Sequence, residues 1–312
     1  MRNIYPKLIV VVGPTAVGKT SLAIRIAKQV NGEVINGDSM QVYKGLDIGT
    51  AKVTEQEKEG VPHHLIDILD VTKLYTANDF KTDAEAAISL IQQKGKIPIL
   101  AGGSGLYIEG LLYDMEFGRV GEDPVYRSKL QKQLDEEGPE GVWEKLNQLD
   151  PVAATALHVN NSRRVIRALE SIQISGKLFS EQNEQQKEKR YDALVIGLTT
   201  DRPLLYQRIN ERVDQMIEEG LLEEAKLLFE LKNVKDTQSY KGIGYKEWFP
   251  YFEGEISFEA ATEKVKQNSR KYAKRQLTWF RNRMDEIQWF DLNKPNSQEE
   301  IDKTVEAFLK AK

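Results

Sequence analysis

The sequence predicts an α/β fold: a parallel sheet with helices on both faces, carrying an inserted all-helical domain. An apolar run, Leu8-Ile9-Val10-Val11-Val12, ends in Gly13-Pro14-Thr15-Ala16-Val17-Gly18-Lys19-Thr20. A helical pattern follows, so the Gly-x-x-x-x-Gly-Lys-Thr loop has the strand–loop–helix setting that a phosphate-binding loop requires. Strand and helix patterns then alternate to about residue 116, the rhythm of a doubly wound, P-loop NTPase-like sheet. From 117 to 191 no strand pattern occurs, and the sheet resumes at Ala193. The predicted organisation is a catalytic core over 1–116 and 192–312 with a helical insertion over 117–191.

After Lys19, the residues Ala23, Ile26, Ala27 and Val30 recur at helical spacing. Glu33-Val34-Ile35-Asn36 reads as a second strand, with Gly37-Asp38-Ser39 as the turn at its carboxyl end. Residues 65–69 read as a further short strand. Asn78 is placed to cap a helix with Phe80, Ala84, Ala87, Ile88 and Ile91 on one face, ended by Gly95. Ile97-Pro98-Ile99-Leu100-Ala101 is a buried-strand pattern running into Gly102-Gly103-Ser104-Gly105. The insertion offers helices over 124–137, 139–149 and 162–175. Beyond it come a strand over 193–198, a helix capped by Asp201 with Pro203 in its first turn, a break at Gly220, and a helix over 221–231. A long basic helix over about 258–284, a strand over 287–290 and a helix over 301–309 close the chain.

Composition limits the chemistry. The 312 residues include no cysteine, which excludes disulfides, thiolate zinc sites and a cysteine nucleophile. The first apolar run is far shorter than the ~18 residues of a membrane span, so a cytoplasmic protein with no membrane contact is expected, as a monomer. The formal net charge is −4, so nucleic-acid binding requires segregated basic patches.

Such patches exist. Lys264, Lys266, Arg270, Lys271, Lys274, Arg275, Arg281 and Arg283 fall within twenty residues without one acid, with Tyr272, Trp279 and Phe280 interleaved. Cations track a phosphate backbone and aromatics stack on unpaired bases. Arg163, Arg164 and Arg167 form a second cluster on the insertion.

At the phosphate loop, Lys19 supplies a point charge and the Thr20 hydroxyl a Mg²⁺ ligand. Asp38, ending the strand read as neighbouring the loop, is either a proton acceptor near the outer phosphate or an Asx-turn aspartate. The strand over 97–101 ends in glycines and Ser104 rather than in the metal-holding aspartate of nucleotide hydrolases, and Asp67 is a weak substitute. Ser104 is placed to bond a substrate or Asp38. Arg208 and Arg212 share a helix face, with Arg212 favoured for a leaving phosphate. His63-His64 reads as a packed loop pair rather than a metal site.

With these pieces in place the chain resembles the tRNA dimethylallyltransferases. The resemblance rests on the phosphate loop and on Asp-Ser-Met-Gln-Val-Tyr-Lys-Gly-Leu-Asp-Ile-Gly-Thr-Ala-Lys at 38–52. It continues in Pro62-His63-His64-Leu65-Ile66-Asp67, Gly102-Gly103-Ser104-Gly105-Leu106-Tyr107 and Asn161-Ser162-Arg163-Arg164. It extends through Gly242-Ile243-Gly244-Tyr245-Lys246-Glu247 to Ala273-Lys274-Arg275-Gln276-Leu277-Thr278-Trp279-Phe280. It implies transfer of a dimethylallyl group from dimethylallyl diphosphate to the exocyclic amine of the tRNA adenosine 3′ of the anticodon. By resemblance Asp38 is the general base, Arg212 and Ser104 join it in catalysis, residues 13–20 hold the diphosphate, and Thr20 holds Mg²⁺. The resemblance also implies tRNA contacts at Asp38, Ser39, Met40, Gln41, Ser104, Arg127, Asn161, Arg163, Arg164, Lys274, Arg275 and Gln276. Two departures stand out: Val17 replaces a usual Ser or Thr, removing a hydroxyl from the diphosphate, and Ser104 replaces a usual Thr. The rival readings are an ATP-dependent small-molecule kinase and a non-catalytic RNA-binding module.

Overall fold

Strand β1 (Lys7–Val12) is buried on both sides. Leu8, Val10 and Val12 point into one apolar cluster, and Ile9 and Val11 into another, the period of two that a central parallel strand requires. The computed structural model describes residues 6–115, 123–182 and 189–311. After β1 come α1 (Lys19–Val30), β2 (Gly32–Asn36), a short α2 (Glu55–Lys58), β3 (His63–His64), α3 (Ala77–Gln93), β4 (Ile97–Gly102) and α4 (Gly105–Leu112).

The chain divides into two compact units, 1–115 with 189–312, and 116–188. The described part of the second is helical: α5 (Pro124–Leu149), α6 (Pro151–Ala156), α7 (Ser162–Ser175) and α8 (Phe179–Gln182) pack around Leu130, Val142, Leu146, Val165 and Leu169. α5 is interrupted at Gly138 (φ 77°, ψ −176°), between the two helical stretches read from sequence. Lys189 and Arg190 already belong to the core. Lys189 pairs with Glu286, Arg190 Nη1 reaches Asp114 at 2.9 Å, and the Arg190 amide donates to the Leu112 carbonyl.

The core resumes with β5 (Asp192–Leu198), α9 (Arg202–Glu218), α10 (Leu221–Glu230), α11 (Phe249–Phe252), α12 (Phe258–Arg283), β6 (Ile287–Phe290) and α13 (Ser297–Lys310). The six strands are all parallel in the order β3-β2-β4-β1-β5-β6. Ligands of such sheets bind at the carboxyl ends of the strands.

Two element assignments are corrected. No strand forms over 65–69. The edge strand is His63–His64, paired with Val34 and Ile35, and the ladder stops because Leu65 (φ 61°) and Asp67 (φ 55°) are left-handed. The cap of α3 is Thr76, not Asn78: its side chain accepts from the Asp79 amide, and the Asp79 carboxylate accepts from the Thr76 amide, a reciprocal capping box.

One buried charge fixes the edge of this sheet. The Glu33 side chain, 2% exposed, accepts from Lys94 (2.9 Å) and Lys96 (2.8 Å) and pairs with His64 (2.8 Å). Although burial opposes its charge, the hydrogen bonds from Lys96, Lys94 and His64 hold its pKa down to about 2. The folded state therefore keeps this proton off more readily than the unfolded chain does. Glu33 contributes stability that is present above about pH 4.5 and lost as pH falls toward 2. Glu33→Ala is expected to destabilise the protein by about 3 kcal/mol and to flatten that acid limb in denaturant titrations.

Candidate active site

The cradle begins where β1 ends. Gly13 takes φ 150°, and a Cβ there would stand 2.7 Å from the Leu198 carbonyl oxygen, so the loop lies flush against β5. Ala16 (φ 62°) and Gly18 (φ 97°) turn the chain into α1. Gly18, as N-cap, offers no side chain to the first turn, and that turn holds no acid. The positive end of α1 is therefore left to an anion. Lys19 Nζ folds back onto the Pro14 carbonyl at 2.6 Å. Thr20 stands beside it with its side chain exposed. Val17 is 3% exposed and packed in the core. At this position of the loop the side chain therefore faces the apolar core.

The strand order corrects the expectation for Asp38. β4, not β2, adjoins β1. Asp38 is nevertheless drawn to the cradle, because the ends of β2 and β4 close on one another. The Gly37 amide donates to the Ala101 carbonyl at 2.8 Å and the Ser104 amide to the Gly37 carbonyl at 3.3 Å. A Cβ on Gly102 would sit 2.2 Å from the Gly37 oxygen. This contact explains why β4 ends in glycine and not in an aspartate.

Asp38 makes the Asx turn, and it also faces the charge of Lys19. Its Oδ1 accepts from the Met40 amide at 2.8 Å, an Asx turn, and its own amide donates to Asn36 Oδ1 at 3.1 Å. Burial raises its pKa, while the Met40 amide and the charge of Lys19 pull it back. Lys19 in turn is lowered to about 8 by burial; the charge of Asp38 raises it back, and that of Arg212 lowers it further. Lys19, Asp38 and Arg212, from three separate elements, thus lie within one electrostatic field. Arg208 is set apart from them, donating to Asn293 Oδ1 at 2.6 Å.

Ser104 Oγ accepts from the Ser39 amide at 3.0 Å, and the Ser39 carbonyl accepts from Gln238 Nε2 at 3.4 Å. The loop that follows is pinned from within. Gln41 Nε2 donates to the Thr50 carbonyl at 3.0 Å. Glu224 accepts from the consecutive amides of Asp47, Ile48 and Gly49 (2.8, 3.0 and 2.9 Å) and from the Tyr245 hydroxyl (2.6 Å). Lys52 bridges Asp47 and Asp67, each at 2.5 Å, so Asp67 is an ion-pair partner.

The sequence reading of α12 needs revising at several residues. Lys266 pairs with Asp214 (2.5 Å), Arg270 with Glu263 (2.8 Å) and Arg283 with Glu109 (2.7 Å). Phe280 is fully buried, and Trp279 packs over Gly105, so neither is a base-stacking platform. Tyr272 is different. It lies beside Ser104 and Gln276 near Asp38, and burial together with the Asp38 charge raises its pKa. Its ring carries the Arg275 guanidinium at 5.6 Å. Gln276 is 4% exposed, with its amide held by the backbone at Thr15 and Gly103. Lys264, Lys271, Lys274, Arg275 and Arg281 remain exposed. Lys274 and Arg281 line a groove of about 480 Å³ with Thr200, Asp201, Arg202 and Tyr206.

In the helical unit, Arg163 and Arg164 are exposed in the first turn of α7, where the helix dipole disfavours cations. They gain nothing from that position in the helix and are free to serve an anion. Asn161, the N-cap, makes no side-chain cap bond. Arg127 Nη2 (3.0 Å) and Arg167 Nη1 (3.1 Å) both reach the buried Glu170. His63 Nδ1 bonds the Val61 carbonyl at 2.8 Å and His64 bonds Glu33, both on β3 rather than in a loop. No group of three or more His, Asp or Glu able to hold a metal occurs among the described residues.

Comparison with known proteins identifies the family. The family model for IPP transferase matches residues 41–283. The tRNA dimethylallyltransferase of Bacillus subtilis is 53% identical over 96% of this chain and 95% of its own length. That of Enterococcus faecalis is 52% identical over 98% of each. Among solved structures, the full-length tRNA isopentenylpyrophosphate transferase of Bacillus halodurans is 46% identical, with a TM-score of 0.73 over 97% of this chain and 96% of its own. A eukaryotic dimethylallyltransferase acting on tRNA is 36% identical, with a TM-score of 0.82 over 97% of this chain and 77% of its own. The chain belongs to the IPP transferase family.

Proposed function

We propose that this protein is a tRNA dimethylallyltransferase. It moves the dimethylallyl group of dimethylallyl diphosphate to the N6 amine of the adenosine 3′ of the anticodon and releases diphosphate. The observation that carries this is the shared field of Lys19, Asp38 and Arg212 at the carboxyl edge of the sheet. It sets an anion cradle against a carboxylate, as a reaction with an anionic leaving group and a proton-losing nucleophile needs.

The steps follow from the groups present. The loop amides, Lys19 and Arg212 hold the diphosphate and neutralise the charge it gains as the allylic C–O bond breaks. The amine nitrogen forms the new C–N bond. An aromatic amine is far too weak an acid to lose a proton beforehand to a carboxylate of pKa near ~4, so Asp38 accepts the proton as that bond forms. Its raised pKa makes it a better acceptor. The Met40 and Gln41 amides both donate to the carboxylate and hold it in place to take the proton. The adenine leaves its stack to reach this site. Thr20 suits Mg²⁺, a hard cation that binds substrate phosphates with few protein ligands and several waters. When bound, Mg²⁺ supplies further charge to the leaving diphosphate.

Ser39, Met40 and Gln41 border the base site, and Ser104 holds their turn. Lys274, Arg275, Arg163, Arg164, Asn161 and Arg127 are the proposed contacts to the anticodon stem-loop, with Gln276 acting through the backbone it holds. One chain carries every group required, so a monomer suffices. No described helix is long and apolar enough to cross a membrane, and the proposed place of action is the cytoplasm, with its tRNA.

Incubation with unmodified tRNA, Mg²⁺ and labelled dimethylallyl diphosphate tests the reading. Label in the tRNA supports it. ATP consumption without label would point instead to a kinase, and RNA binding without turnover to a binding module. Lys274→Ala with Arg275→Ala is expected to weaken tRNA binding and to lower the log–log salt slope by about 1.4 if both cations meet single-stranded phosphates. An unchanged slope would remove α12 from the RNA.

A further inference from the structure

α12 presents two very different neighbours in sequence. Lys274 and Arg275 are exposed, whereas Gln276 is 4% exposed. A buried amide is costly unless both its ends are bonded, and this one is bonded at both. Its Oε1 accepts from the Thr15 amide at 2.9 Å, inside the anion cradle. Its Nε2 donates to the Gly103 carbonyl at 3.1 Å, in the turn after β4. The fit at that end is close: a Cβ on Gly103 would stand 2.1 Å from Nε2. The next residue, Ser104, holds the Ser39 amide, adjacent to Asp38.

One side chain therefore ties two parts of the site to one helix. Thr15 belongs to the diphosphate cradle, Gly103-Ser104 supports the Asp38 turn, and α12 carries two exposed cations immediately before Gln276. Building on the reading above, we infer that Gln276 is a positioning residue that couples tRNA docking on α12 to diphosphate binding in the cradle. A small displacement of α12 by RNA phosphates moves the Thr15 amide and the Gly103 carbonyl together. Linkage makes the effect reciprocal: RNA tightens the diphosphate by the factor by which the diphosphate tightens RNA.

The test measures that factor. The probes are a non-transferable thio analogue of dimethylallyl diphosphate and an unmodified anticodon stem-loop RNA, each titrated alone and in the presence of the other. In the parent protein the RNA is expected to tighten the analogue about tenfold, within the usual range of coupling energies. Gln276→Met keeps the volume and removes both hydrogen bonds. It is expected to reduce the coupling to about twofold or less; the coupling is a ratio, so it is read independently of any change in either affinity alone. Gln276→Glu keeps the acceptor for Thr15 but loses the donor to Gly103, and is expected to fall between the two. It also serves as the second variant should the methionine protein fail to fold. Parent-level coupling in either variant, or no coupling in the parent, overturns the inference. A parent protein that places no label in tRNA overturns the proposed function instead.

Discussion

Replacing Asp38 with Asn is expected to slow prenyl transfer by about 10²–10⁴-fold, the usual contribution of a positioned general base, with both substrates still bound. The substitution is selective because the Asn side-chain oxygen still accepts the Met40 amide, keeping the turn that Asp38 makes at 2.8 Å. The proton-accepting charge is lost. The pH profile separates this role from misfolding. The parent needs ionised Asp38, whose pKa burial raises, so its rate climbs with pH through an acid limb above the ordinary carboxylate range. The Asn variant lacks that limb. A carboxyl raised on folding contributes stability at low pH that is lost as pH rises from its unfolded value of 3.8 through the folded one. Asp38→Asn is therefore expected to be at least as heat-stable as the parent at neutral pH. A parental transfer rate in this variant would end the role of Asp38 as base.

What the sequence revealed of this site follows from how local each feature is. The cradle is eight consecutive residues between a strand and a helix, so its chemistry and position were legible together. The bounds of α12 were legible because a continuous helical pattern needs no tertiary information. The insertion of β4 between β1 and β2 is a matter of sheet order, which no strand announces in its own residues. The partners of the α12 cations were hidden for the same reason. Asp214 and Asn210 come from α9 and Glu109 from α4, so the acid-free stretch of sequence is not acid-free in space. Gln276 did leave a signal. It lies three residues after Ala273 and four before Phe280, on the apolar stripe of α12, and a glutamine on such a stripe points inward. Thr76 and Asp79 likewise spell a capping box three residues apart. Tyr272 left none, since its place beside Ser104 depends on where β4 ends.

Lys19→Met is expected to reduce kcat/KM for the diphosphate substrate by about 10²–10³-fold, comparable to removing one preorganised donor from a developing oxyanion. Methionine fills much of the volume of the lysine stem, so the loss reports charge rather than a cavity. Binding of the anticodon stem-loop alone is expected to be unchanged, since Lys19 points into the cradle at Pro14. The diphosphate must meet a protonated Lys19, and burial brings its pKa down to about 8. Affinity for the diphosphate is accordingly expected to fall as pH rises through about 8 in the parent, and that limb disappears in the methionine variant. Arg212 supplies a second cation nearby, which is why the loss stops short of complete. A Lys19→Met protein that binds diphosphate as tightly as the parent, with the same alkaline limb, would mean that the anion sits elsewhere. The loop between β1 and α1 would then be a turn without a ligand.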